Sequence, residues 1–180
     1  MTWDGRYPPE RLVVYDPAWA GRYAELEAGL VEGLGATWQV EHVGSTSVPG
    51  LCAKPVIDLA LRVPEEEPTG GRDAFTALGW TRPEPLGDHA AAFLLGPDRV
   101  RRAVAHIYLA EAWPDAPVRL FAAWLRGHPT DAAAYARLKQ DLVGNGIWGS
   151  DYTRAKAAFV EDVVRRARHQ AGRSSASTIR

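Results

Sequence analysis

The stretch Glu41-His42-Val43-Gly44-Ser45-Thr46-Ser47-Val48-Pro49-Gly50, running on through Lys54-Pro55 into Val56-Ile57-Asp58-Leu59-Ala60-Leu61, decides how this chain is read. It reads as a strand, a turn of small residues and a second strand. Glycine lets backbone approach closely, and the hydroxyls of Ser45, Thr46 and Ser47 donate hydrogen bonds. Because N–H groups in such a turn point at an anion, Gly44, Ser45, Thr46 and Ser47 form a candidate phosphate cradle. The apolar strand that follows carries one carboxylate, Asp58, the candidate ligand for a metal ion that accompanies phosphate, and Lys54 adds a point charge that can neutralise a polyphosphate. Each has a plainer reading as well: a capped turn before Pro49-Gly50, a solvated lysine ahead of a strand, and a strand aspartate that caps a turn or pairs with an arginine.

Outward from this stretch the pattern alternates strands and helices, then turns helical. Residues 12–15 read as a short apolar strand, and Asp16-Pro17 supplies an N-cap with proline at the first helical position. Trp19, Tyr23, Leu26, Leu30, Val31 and Leu34 recur at helical spacing up to a stop at Gly35. Strands follow at 38–43 and 56–63, the second so continuously apolar that it belongs inside the sheet. Residues 65–68 form a charged loop and 72–78 a short helix ended by Gly79. Trp80, 91–95 and 100–110 read as further strands, with Gly96-Pro97-Asp98 turning between the last two. Past Pro117 three amphipathic helices are marked by Phe121, Trp124, Leu125 and His128, by Tyr135, Leu138 and Leu142, and by Tyr152, Lys156, Phe159 and Val163. Strands followed by a run of helices predict a single α+β domain with a mixed sheet over residues 1–170, and residues 171–180 lack periodicity and read as a disordered tail.

Composition narrows the function. The 180 residues are 46% hydrophobic, enough for one sizeable core, and the net charge of -1 provides no basic field for extended nucleic acid or an anionic membrane. A single cysteine, Cys52, excludes an internal disulfide framework and reads as a small packed hydrophobe. With no signal-peptide pattern and no apolar run of membrane-spanning length, the expectation is a cytoplasmic protein.

Alternation along a strand puts Asp58, Ala60 and Arg62 on one face, and His106 shares a face with Tyr108 and Ala110. If the two strands are neighbours, imidazole and carboxylate face one cleft, where His106 serves as a metal ligand, a general base or a donor to phosphate. His42 is placed to orient the Gly-Ser turn, and Glu41 to form a salt bridge. Arg99, Arg101 and Arg102 read as a solvated rim, and His128 as a complement to a helix dipole.

The string His-Val-Gly-Ser-Thr-Ser-Val-Pro-Gly-Leu with Lys-Pro-Val-Ile-Asp resembles the GrpB family of the nucleotidyltransferase fold. His106-Ile107-Tyr108-Leu109 is similar to that family's His-x-His strand, with Tyr108 at the second histidine. Leu125 to Lys139, with His128-Pro129 and Ala134-Tyr135-Ala136, is similar to its carboxyl-terminal helices. The resemblance spans roughly residues 10 to 168. It implies a nucleotidyltransferase-like mixed β-sheet flanked by helices, with a C-terminal helical region. It also implies an enzyme that binds a magnesium nucleoside triphosphate and transfers a nucleotidyl group to a small-molecule acceptor. On that reading Gly44 to Ser47 hold phosphate, Asp58 holds Mg2+, His106 assists and Lys54 offsets charge. Competent nucleotidyltransferases carry a second carboxylate where this chain has Ala60. That departure favours an alternative, a nucleotide or phospho-ligand binding protein without transfer. A third reading is an interaction domain with a vestigial cleft. Asp88 or Glu84 is positioned in the chain to replace the missing acid if it folds in.

Overall fold

Between Asp16 and Gly35 the periodic residues form α1 (Ala18–Leu34) in the computed structural model, which describes residues 6–65 and 71–177. Asp16 caps it, its Oδ1 accepting the Ala18 N–H at 2.9 Å, and the Gly35 N–H closes the last turn on the Val31 carbonyl. Five strands follow: β1 (Gln39–Val43), β2 (Ile57–Arg62), β3 (Glu84–Leu86), β4 (His89–Leu95) and β5 (Arg101–Tyr108). Their order in the sheet is β1-β2-β5-β4-β3, with β2 and β5 parallel and every other pair antiparallel. The apolar β2 is interior, as its composition requires. Its parallel partner is reached by a long crossover that contains α2 (Arg72–Ala77), β3 and β4.

Two local expectations change. Residues 12–15 are no strand but a single antiparallel bridge, Val13 with Ala53, and Val14 is 83% exposed, so the segment has only one apolar side to bury. The sequence reading also passes over β3, whose Pro85 argues against a strand. Proline is tolerated there because β3 is a three-residue edge strand.

One face of the sheet is apolar apart from His42, which stands opposite Leu59 and stacks on Tyr23 of α1. Ile57, Leu59 and Leu61 of β2 with Ala103, Ala105 and Ile107 of β5 pack on Trp19 and Leu30 of α1, Trp38, Phe75 of α2 and Trp80. Each large side chain so buried contributes roughly 1.5–3 kcal/mol, which makes this face the main source of stability and leaves the chemistry to the other. On that second face Ala60 and Tyr108 are sealed, together with Val43, beneath Trp113, Ala116 and Ala122 at the start of α3 (Pro117–Gly127). Arg119 of α3 grips Glu41 of β1 through two hydrogen bonds of 2.8 and 2.6 Å, the salt bridge expected of Glu41. α4 (Pro129–Gly144) and α5 (Ser150–Ser177) pack with α3 through Phe121, Leu125, Tyr135, Val163 and Val164, and that cluster takes in Val48 and Leu51 beyond the Gly-Ser turn. The helical layer thus closes over one end of the polar sheet face and leaves a cleft at the other.

The backbone of α5 remains helical to Ser177, past residue 171 where the sequence reading starts a disordered tail; residues 178–180 of that tail lie outside the described residues. Among the described residues no helix is long and apolar enough to cross a membrane.

Candidate functional site

At the end of β1, Val43 pairs with Asp58 of β2, and the chain then turns sharply at Gly44 with φ 69°. A Cβ at position 44 would lie 2.2 Å from Asp58 Oδ2, so both the positive φ and the contact with the carboxylate require glycine. Ser45–Ser47 then form a single 3-10 turn. His42 orients it as expected: its Nε2 lies 3.0 Å from Thr46 Oγ1, and its ring stacks on Tyr23 with centroids 4.7 Å apart. Burial pushes the His42 imidazole down to about 4, against the pull of Asp58, so it is neutral at physiological pH.

Ser45, Thr46, Lys54, Asp58 and His106 all line one cavity of about 840 Å³ between the sheet and α5. Gly44 and Ser47, the other two members of the expected cradle, do not. The Ser47 hydroxyl turns back to donate to the Gly44 carbonyl at 2.8 Å and accepts from Arg126 at 3.2 Å, which stiffens the turn from behind. Gly44 acts through its packing on Asp58.

The parallel register pairs Asp58 with Val104 and Ala60 with His106, so carboxylate and imidazole share a face, with Asp58 Oδ1 3.7 Å from His106 Nε2. Behind His106 a polar chain continues. His106 Nδ1 lies 2.9 Å from His89 Nε2, and His89 Nδ1 lies 2.9 Å from Asp88 Oδ1. Asp88 therefore ends a histidine chain and does not replace the missing carboxylate, and Glu84 sits exposed on the edge strand. Among the described residues no three His, Cys, Asp or Glu side chains are grouped to hold a metal by themselves. Asp58 is one-third exposed into the cavity, and its position suits a cation that takes one carboxylate plus substrate phosphates and water, as Mg2+ does.

Three lysines give the cavity its charge. Lys54 Nζ sits in an aromatic cage, 3.9, 4.4 and 4.7 Å from the ring centres of Tyr7, Trp148 and Tyr152. Lys139 of α4 is 1% exposed and donates to Ser45 Oγ at 3.0 Å and to the Cys52 carbonyl, which ties the helical layer to the Gly-Ser turn. Lys156 of α5 lies 4.2 Å over Tyr152. Burial lowers all three amines, Lys54 and Lys156 to about 8 and Lys139 to about 7, with Asp58 opposing the shift in each case.

Arg101 joins them, contrary to its reading as rim. It is buried beside Phe93 and Tyr7 and lines the cavity. The cause is a bulge: Leu94 pairs with Ala103 but Leu95 with Arg101, so Arg102 is the extra residue and strict alternation fails there. Arg102 stays exposed on Asp98, as a rim arginine should. From the sequence alone His89 falls two residues ahead of the strand at 91–95, and Lys139 and Lys156 belong to helices without a place in the site. A signal was present. Lys139 follows Tyr135 and Lys156 follows Tyr152 by four residues, which puts an amine on each helix's buried stripe.

The sheet, its flanking helices and a turn that presents hydroxyls beside a strand carboxylate define a nucleotidyltransferase-like α+β domain. A chain in the structure of the GLD-2/RNP-8 complex shares this fold with a TM-score of 0.51 at 11% identity, over 82% of this chain and 60% of that one. The chain belongs to the GrpB family, whose model, described as GrpB protein, matches residues 9–166. The crystal structure of GrpB from Enterococcus faecalis superposes with a TM-score of 0.74 at 29% identity, covering 89% of this chain and 98% of that one. A UPF0157 protein of Halalkalibacterium halodurans is 34% identical over 87% of this chain and 81% of its own length. One of Streptomyces coelicolor is 32% identical over 88% and 87% respectively.

Proposed function

We propose that this protein is a cytoplasmic nucleotidyltransferase that binds a magnesium nucleoside triphosphate in the 840 Å³ cavity and transfers the nucleotidyl group to a small-molecule acceptor. The observation that carries the reading is the convergence of Lys54, Lys139 and Lys156 on the Gly-Ser turn and a single carboxylate. Amines held this deep favour a multiply charged anion that offsets their buried charge, and the volume falls within the range of small-molecule sites. Ser45, Thr46 and the lysines bind the phosphates, and Lys139 braces Ser45 from the helical side. Asp58 and the phosphate oxygens would hold Mg2+, which when bound neutralises charge on the reacting phosphates. An acceptor oxygen then attacks the α-phosphorus and pyrophosphate leaves, so the chain's task is positioning and electrostatic stabilisation.

Binding without transfer is the second reading, and buried Ala60 favours it. Titration calorimetry with the four ribonucleoside triphosphates and Mg2+, alongside pyrophosphate release in the presence of a bacterial metabolite extract, separates the two. Asp58→Asn is expected to abolish magnesium-dependent binding and turnover while leaving the apo melting temperature within a few degrees of wild type. Binding without pyrophosphate release selects the second reading. Absence of any triphosphate binding in the wild type rejects transfer and nucleotide binding alike, and leaves of the second reading only a phospho-ligand other than a nucleotide.

A further inference from the structure

The hydrogen bonds behind His106 fix which of its nitrogens carries the proton. A carboxylate only accepts, so His89 Nδ1, 2.9 Å from Asp88 Oδ1, bears its hydrogen. Burial disfavours a second proton on His89, as does the charge His106 would carry, against the pull of Asp88. His89 Nε2 therefore holds a lone pair, and its 2.9 Å contact with His106 Nδ1 takes its hydrogen from His106. On the neutral His106 ring this leaves the lone pair on Nε2, which faces the cavity 3.7 Å from Asp58 Oδ1, too far for a direct hydrogen bond and open to an atom that bridges the two.

We infer that Asp88 and His89 are positioning residues that lock His106 in its Nδ1–H tautomer, so that Nε2 accepts a proton from the acceptor molecule in the transfer reaction proposed above, on which this role rests. The step balances: the acceptor's O–H proton passes to His106 Nε2 as its oxygen bonds to the α-phosphorus and the bond to pyrophosphate breaks. The imidazolium so formed keeps its Nδ1–H on His89, whose own N–H rests on the Asp88 carboxylate. A hydrogen-bond partner on the far nitrogen orients a functional imidazole and sets its tautomer. His89 is 9% exposed and Asp88 68%, so the chain leads from the buried imidazole to solvent.

His89 also stacks on Tyr108 with centroids 4.6 Å apart, and the test has to separate that packing from tautomer control. Nitrogen NMR of histidine-labelled protein at pH 7.5 reads the tautomer directly. The wild type is expected to show His106 protonated at Nδ1 and bare at Nε2. In His89→Phe, which keeps a ring against Tyr108, a large share of His106 should move its hydrogen to Nε2. His89→Gln offers a carbonyl to Nδ1–H and should restore the wild-type signature. Asp88→Ala, at the exposed end, should shift His106 part of the way with an unchanged melting temperature. Pyrophosphate release from magnesium ATP in the metabolite extract should fall roughly 10–100-fold in His89→Phe with KM for ATP unchanged, the usual loss for such a hydrogen-bond partner. A wild-type His106 protonated at Nε2, or a tautomer indifferent to His89→Phe, overturns the inference. The inferred tautomer without pyrophosphate release in the wild type refutes the transfer reaction, and the role with it, while the assignment of the protons stands.

Discussion

Lys156 shows at the level of one side chain how the proposed site opposes the fold that holds it. Its amine is lowered to about 8 by burial, so the apo protein gains little from its charge, whereas in the proposed complex a polyphosphate gains a nearby cation. Lys156→Met keeps the length and apolar stem. The expected outcome is triphosphate affinity lower by about 10-fold, or roughly 1.4 kcal/mol, with an apo melting temperature equal to or above wild type. A fall of many degrees in the melt, with affinity intact, would assign Lys156 to the core instead. Gly44 lies at the opposite extreme. With Asp58 Oδ2 2.2 Å from any added Cβ, no second residue type is accommodated without moving the carboxylate.

At the level of elements, the polar face of β2 is divided between Asp58, open to the cavity, and Ala60, enclosed by Val43, Tyr108, Trp113, Ala116 and Ala122. A carboxylate at position 60 would be buried directly opposite the Glu41 carboxylate, so Ala60→Asp is expected to destabilise the protein by about 4 kcal/mol in a denaturant melt and to bring no gain in metal affinity. A stable variant with tighter Mg2+ binding would show that α3 yields and that the second acid was simply lost. This division was not legible in the sequence, because alternation assigns Asp58 and Ala60 to one face but says nothing of where α3 lands. What was legible followed from local rules: the capped start at Asp16, the apolar interior strand β2, the turn at Gly96-Pro97-Asp98 and the three amphipathic helices all stand where periodicity puts them. Arg101 and His89 were lost to a bulge and a late strand start, features set by pairing partners distant in the chain.

Across the whole molecule the titrating groups give stability and binding opposite responses to pH. Lys54, Lys139 and Lys156 release their protons in the folded state near 7 to 8, below the ordinary lysine value of 10.5. Between those limits the unfolded chain holds protons that the folded chain has shed, so stability rises with pH. Above about pH 10 the sign reverses, because burial raises Tyr108, Tyr135 and Tyr152 and the unfolded phenols ionise first. On the acid side, His42 stays neutral down to about 4 while its unfolded counterpart takes a proton near 6.5, so stability falls as pH drops through that window. The apo melting temperature is therefore expected to climb from pH 7 to 9.5 while affinity for inorganic tripolyphosphate declines over the same range. Parallel trends in the two measurements would separate the lysines from the anion site. The aromatic cage around Lys54 has a practical consequence of another kind. With the ammonium 4.4 Å from the centre of the Trp148 ring, the indole's fluorescence is sensitive to where that charge sits. If the proposed ligand draws Lys54 toward phosphate, the emission of this one tryptophan is expected to change against the background of the other six, which would give the proposed site its own optical gauge of occupancy.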